Sequence, residues 1–240
     1  GKVALGIGGY VKGTMSVDMD GISDNLDFVT YDIPAPMKTD MRNQFQMDAS
    51  TSRIFLKLVG ADTQIGDFTI YLESDFRGKN GHQYDLRLRQ AYIQLGGWKI
   101  GRAKTTFSDG AASPPTIDFE GPSGSVSAKN TMIQYVHQFG KHWSTAMAIE
   151  APSASYTTDK NLSESIKQRV PDIPSYIQYA WDGGKSHIRW SNLFRFLSYR
   201  NLVEGKNKIA FCMATQLSGM ITFSPHWKLY YQGAYGKGYA

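Results

Sequence analysis

In the run DLRLRQ, residues 85–90, Arg87 and Arg89 stand two positions apart and are interleaved with Leu86 and Leu88. On an extended chain residues spaced by two project from one side, so the two guanidiniums share a side and the two leucines share the other. Fixed cations in such a row can hold or steer an anion. Arg53, Lys57, Arg189, Arg195 and Lys12 take the matching polar positions of other alternating segments. Carboxylates able to oppose them occur at Asp118 and Glu120, within KTTFSDGAASPPTIDFEGPSGSVSAKN, residues 104–130. Opposed charges across a narrow passage of low dielectric orient dipolar or anionic solutes. For hydrolysis the same two carboxylates are poorly arranged, because two positions apart in a Pro-Gly segment they lack the opposed placement that chemistry needs.

Other chemistry finds less support. GIGG at 6–9 opens a strand-like segment with no helix after it, so it is no dinucleotide turn, and neither GxSxG nor a phosphate loop occurs. The single Cys212 excludes an intramolecular disulfide. His82, His137, His142, His187 and His226 are scattered without metal-ligand spacing, so no metal and no cofactor is expected. The formal charge of +5 is spread among acids and strand-like segments, which gives no basic patch for nucleic acid. Mean hydropathy is −0.37 and no window approaches the ~18 apolar residues of a spanning helix. Helical insertion is thereby excluded, whereas a β-barrel is left open, because its alternating strands average out as polar. No signal peptide precedes Gly1, which fits a processed or trimmed chain as well as a cytoplasmic one.

The elements that must position these residues are strands. Two-residue alternation recurs from Ile7, Val11, Met15 and Val17 through Ile54, Leu56 and Leu58 to Trp227, Leu229 and Tyr231, and predicts about eleven strands, many near the ~9–11 residues that cross a bilayer obliquely. NLSESIKQR, 161–169, alone has a weak helical look. Connections alternate in length: short near 60–66, 95–99, 139–143, 181–186 and 223–227, long over 18–43, 75–84, 104–130, 151–173 and 198–207. That order puts every short connection at one end of an up-and-down meander. The expected fold class is therefore all-β, a transmembrane antiparallel up-and-down β-barrel forming a single domain over residues 1–240. Trp98, Trp143, Trp181 and Trp227 each sit beside a short turn and would form an aromatic girdle at one membrane face. In 104–130, Pro114, Pro115 and Pro122 with Gly121 and Gly124 stiffen and bend the chain. Phe107, Ile117 and Phe119 there imply something to pack against, so this connection is expected to fold inward and narrow the passage.

TSRIFLKLVG (51–60), RLRQAYIQLGGWKIGRAKTTFSD (87–109), SPPTIDFEGPSGSV (113–126) and GYVKGTMSVDMDG (9–21) together resemble the DcaP-like outer-membrane porins. The resemblance covers residues 1 to about 135. It implies a trimeric porin of about sixteen strands in the outer membrane of a Gram-negative bacterium, passing small organic anions such as dicarboxylates. It places the constriction around Pro114, Pro115, Asp118, Phe119, Glu120, Gly121 and Pro122, and a basic wall at Arg53, Arg87 and Arg89. About eleven strands would leave unpaired edges in lipid, so further C-terminal strands are expected. The partners expected are the bilayer with its lipopolysaccharide, two further copies, small anionic solutes and, without an identity, an outer-membrane protein on the loops. Two alternatives stand beside the porin: a structural or adhesion barrel with a plugged lumen, and an outer-membrane hydrolase.

Overall fold

A computed structural model describes residues 1–19, 33–36, 42–78, 84–117, 119, 121–122, 124–152, 159 and 161–238. Its strands are β1 (Lys2–Tyr10), β2 (Thr14–Asp18), β3 (Gln44–Asp48), β4 (Arg53–Ala61), β5 (Phe68–Asp75), β6 (Arg87–Leu95), β7 (Trp98–Lys104), β8 (Lys129–Phe139), β9 (Trp143–Glu150), β10 (Ser163–Ser165), β11 (Ile173–Trp181), β12 (Ser186–Asn201), β13 (Lys206–Ser224) and β14 (Trp227–Gly236). They pair in the order β1-β4-β5-β6-β7-β8-β9-β11-β12-β13-β14, with β10 on β12 and β2 with β3 as a separate hairpin. Each strand on the main path thus neighbours the next one in sequence, apart from the β2–β3 and β10 excursions.

Two compact units make up the chain, residues 1–91 with 114–125 and residues 92–113 with 126–240, the division falling inside β6. In the first unit register assigns the faces. Ile7 lies opposite Leu56 and Leu56 opposite Leu72, forming an apolar row; Tyr10 opposite Arg53 and Arg53 opposite Asp75 form a polar row on the other face. A slip of one residue would exchange every side chain between faces, so the alternation fixes the pairing. The apolar face is uncovered: Ile7 is 77% exposed and Leu56 41%.

The second unit repeats this polarity. Ile133, Met147, Ile149, Phe211 and Met213 are exposed, while Gln134, Ser144, Glu150, Ser191 and Gln216 on the opposite face are buried. Its buried apolar cluster is small, consisting of Phe107, Leu193 and Ala214 with Val126 against them. Among the described residues, nine hydrophobic residues are buried against twenty-three polar or charged ones, the reverse of a soluble domain.

Three expectations about elements are corrected. The first strand breaks at Val11–Gly13, where the Lys12 amide donates to Ser52 Oγ (2.9 Å) in place of a ladder bond. The stretch 161–169 is not helical: Ser163–Ser165 forms β10 against Asn201–Tyr199. The connection 198–207 shrinks to 202–205, because β12 and β13 keep pairing as far as Asn201 and Lys206. There the Glu204 amide donates to Asn201 Oδ1 (3.0 Å), and Gly205 turns the chain at a φ of 65°. Strands running past the apolar band into water take polar residues such as Arg200 and Asn207, which is why this stretch reads as loop in sequence.

The polarity has a measurable consequence. Leu56→Arg, near the middle of β4, should lower the free energy of folding into a bilayer by about 2–4 kcal/mol in a urea titration. Lys57→Leu on the other face should change it by no more than about 0.5 kcal/mol.

Candidate pore-lining site

On the polar face of the first unit, strand alternation brings Arg53 of β4, Glu73 and Asp75 of β5, and Arg87 and Arg89 of β6 together. Arg87 grips Asp75 with two bonds, Nε to Oδ1 (2.8 Å) and Nη2 to Oδ2 (2.6 Å). Arg89 bridges the two acids, Nε to Glu73 Oε1 (2.9 Å) and Nη1 to Asp75 Oδ2 (2.6 Å). Glu73 Oε2 also accepts from Tyr71 Oη (2.8 Å) and Gln90 Nε2 (3.2 Å). Arg53 reaches Glu73 only at 3.5 Å. Both acids are almost fully buried, whereas the Arg87 side chain is 42% exposed. Three guanidiniums therefore face two carboxylates, leaving one positive charge uncompensated.

A second cation joins from the break after β1. Lys12 Nζ donates to the Ile117 carbonyl (2.5 Å) and lies 3.5 Å from the centre of the Phe119 ring. The Arg53 guanidinium carbon stands 4.8 Å from the same ring and 5.8 Å from that of Tyr10, which meets Phe119 edge to face at 6.5 Å. Gly9 permits this crowding, since a Cβ there would come within 2.2 Å of the Arg53 carbonyl oxygen. The 114–125 segment, which carries Pro114, Pro115 and Pro122 and turns at Gly121 with a φ of 77°, thus rests on β1 and β4 through Phe119 and Lys12. Ile117 makes no such packing and is 88% exposed, contrary to expectation. Asp118 and Glu120 lie outside the described residues. Arg87 and Arg89 are met by Glu73 and Asp75, partners that the sequence reading overlooked although β5 alternates clearly enough to place them. Lys57 is exposed on the same face, opposite Tyr71.

In the second unit the flank of the same connection is held by two buried carboxylates. Glu150 at the end of β9 accepts from Thr105 Oγ1 (2.6 Å), the Thr106 amide (2.7 Å) and Asn130 Nδ2 (2.9 Å). Asp109 takes the Ala111 amide on Oδ1 (3.2 Å), which starts a short 3₁₀ turn over Gly110–Ala112. Its Oδ2 lies 2.8 Å from His187 Nε2 and accepts from Ser218 Oγ (2.9 Å). Burial works to raise the Asp109 carboxyl, but the His187 bond, the charge of Arg189 and the Ser218 hydroxyl outweigh it and hold the group at about 2. Arg189 donates to Gln178 Oε1 (2.8 Å) and the Ser108 carbonyl (3.3 Å) over the face of Tyr176. Arg195 is buried in an ion pair with Asp172 (2.8 Å). Within the second unit, Arg189 and Arg195 thus each have their own partners.

Trp98, Trp143 and Trp227 begin β7, β9 and β14, and Trp181 ends β11, each beside a short turn. Trp98 packs on Tyr135 (4.9 Å), and Phe139, Trp143, Tyr179 and Trp181 follow one another at 6.1, 4.9 and 5.9 Å between ring centres.

An antiparallel meander with a bare apolar face and a charged, hydrogen-bonded opposite face is suited to hydrocarbon on one side and water on the other, the arrangement of outer-membrane β-barrels. The matches with known proteins agree. The chain belongs to the DcaP outer membrane protein family, whose sequence profile matches residues 3–169. It is similar to the crystal structure of the outer membrane channel DcaP of Acinetobacter baumannii, with a TM-score of 0.80 and 16% identity over 98% of this chain and 64% of that one. The chain therefore spans 64% of that relative's length. It is also similar to an anion-selective porin from Comamonas acidovorans, with a TM-score of 0.45 and 12% identity over 97% of this chain and 78% of that one. No curated protein matches it. The fold is that of a transmembrane antiparallel up-and-down β-barrel, and the location is the outer membrane of a Gram-negative bacterium.

Both anchors can be tested. Glu150→Ala strands the Thr106 amide and two side-chain donors, and should cost about 2–4 kcal/mol, read as a lower temperature for conversion of the folded gel band. Asp109 sits below its ordinary 3.8, so its stabilisation is complete above about pH 4 and is lost as the pH falls through about 2. Pepsin should accordingly cut near 105–117 with increasing ease from pH 4 to pH 2 in the wild type, and without that pH trend in Asp109→Asn.

Proposed function

We propose that this chain forms the wall of a passive diffusion channel for small hydrophilic solutes, with a preference for organic anions, dicarboxylates among them. One observation carries the reading: in the cluster on the polar face of the first unit, among the described residues, the four cations Arg53, Arg87, Arg89 and Lys12 outnumber the two carboxylates Glu73 and Asp75. In a water-filled lumen walled by low-dielectric material, such an excess raises the local concentration of anions and lowers that of cations. Family membership supports the channel role, and the resting of Phe119 on β1 and β4 supports a constriction built from the 104–130 connection.

The remaining parts of the reading follow the same physics. Arg53, Lys57, Arg87 and Arg89 line the passage, as do Arg189 and Arg195 of the second unit, whose guanidiniums are fixed by Gln178, the Ser108 carbonyl and Asp109, and by Asp172, respectively. Trp98, Trp143, Trp181 and Trp227 anchor the short-turn end at the headgroup level, where an indole satisfies both its ring and its N–H. The assembly is a homotrimer among lipopolysaccharide and phospholipid. Transport is diffusive, with no catalysed step.

The test is the reversal potential of the full-length protein in a planar bilayer under a KCl gradient. The wild type should be anion-selective, and Lys12→Glu with Arg53→Glu should move the potential to the cation side. Removing a matched pair, Arg87→Gln with Asp75→Asn, should leave it near the wild-type value. A cation-selective wild type, or no conductance at all, would overturn the reading.

A further inference from the structure

The charge excess depends on a residue that carries no charge. Of the four cations of this cluster, Arg87 and Arg89 are tied to carboxylates at 2.6–2.9 Å. Arg53 and Lys12 are the loosely compensated ones. The Arg53 Nε–H is buried without an acceptor, and the nearest carboxylate contact of its guanidinium is the long 3.5 Å approach to Glu73. Both cations are instead gathered on one aromatic ring, Lys12 Nζ at 3.5 Å and Arg53 Cζ at 4.8 Å from the centre of Phe119. A ring face attracts a cation through its quadrupole without cancelling its charge. A carboxylate in the same place would hold the cations equally well and abolish their field.

We propose that Phe119 is a positioning residue for charge selectivity: it holds the Lys12 ammonium on its face and keeps the Arg53 guanidinium from closing on Glu73 beyond a 3.5 Å contact, so that their charge stays available to a passing anion. The inference rests on the channel reading above and deepens it. The competition is local and directional. Arg53 lies diagonal to Glu73 across β4 and β5 and directly opposite Asp75, so its guanidinium has a carboxylate within reach once the ring is withdrawn. Lys12 has a flexible four-carbon stem whose ammonium, among the described residues, is otherwise tied to the Ile117 carbonyl on the same segment. Without the π face, Arg53 closes on Glu73 as a compact ion pair and Lys12 swings free. The total charge is unchanged, yet the field at the passage falls. Phe119 thus does by its quadrupole and shape what a charge inventory of the lining attributes to basic residues alone.

The experiment replaces Phe119 with Leu, which keeps apolar bulk and removes the π face, and with Tyr, which keeps the ring. Full-length variants whose folded gel band matches the wild type are compared by single-channel conductance and by reversal potential in a KCl gradient. Phe119→Leu should reduce the anion-to-cation permeability ratio about two- to fivefold with little change of conductance, and Phe119→Tyr should keep the wild-type ratio. In a Glu73→Gln background, where the competing carboxylate is absent, Phe119→Leu should have little effect on the ratio. An unchanged ratio in Phe119→Leu, or a change of conductance alone, would show the residue to be a steric plug and overturn the proposal. A protein that conducts no ions would instead overturn the channel reading itself.

Discussion

Hydrocarbon must stand where a soluble protein would keep its core. Ile7, Leu56, Leu72, Ile133, Met147, Phe211 and others are exposed on the apolar faces of paired strands, and among the described residues the buried apolar cluster gathers Phe107, Leu193 and Ala214 with Val126 against them. Burial of apolar area is worth roughly 25 cal/mol per Å², so that much surface left to water would be prohibitive. Given to lipid tails, it becomes the main term holding the sheet in place. Even the exposed Trp190 conforms, its indole N–H donating to Thr215 Oγ1 (2.7 Å) so that no unsatisfied donor meets the acyl chains.

Once the apolar groups are turned outward, the polar ones that are buried must be satisfied among themselves. Glu150 and Asp109 each accept three hydrogen bonds from or beside the 105–112 flank; Asp172 takes Arg195; Glu73 and Asp75 take Arg87 and Arg89. Breaking one partner of such a set strands the other, which is costly in a region of low dielectric. In the cluster of the first unit, Lys12 and Arg53 are the cations held by the rings of Phe119 and Tyr10 and not by a close carboxylate.

Alternation was legible because a period of two in side-chain polarity is imposed by the backbone and survives any tertiary arrangement. Leu86 and Leu88 against Arg87 and Arg89 could be read directly, and so could the succession of β4 through β9. What alternation does not record is the partner of each polar group. Arg87 and Arg89 looked like a free basic wall, whereas Glu73 and Asp75, one strand away, neutralise most of it. The signal was present in FTIYLESD, where Glu73 falls on the polar parity, but an ion pair between strands needs register, and register is set by long-range pairing. Strand ends were misread for a related reason: β12 and β13 continue into water with polar residues, and the first strand stops at Lys12 because Ser52 captures its amide. The anchors at Glu150 and Asp109 left little local trace, since apart from the Ala111 amide their partners lie between 20 and 109 residues away in the chain.

The most direct measurement is a nitroxide scan along β4 in the full-length protein reconstituted in bilayers, with Cys212 replaced by Ser and single cysteines introduced from position 53 to position 61. Collisions with dissolved oxygen report lipid, and collisions with a water-soluble nickel complex report an aqueous passage. The account predicts oxygen maxima at 54, 56 and 58 and nickel maxima at 53, 55 and 57, out of phase by one residue. In-phase profiles, or oxygen maxima on the side of Arg53 and Lys57, would contradict it.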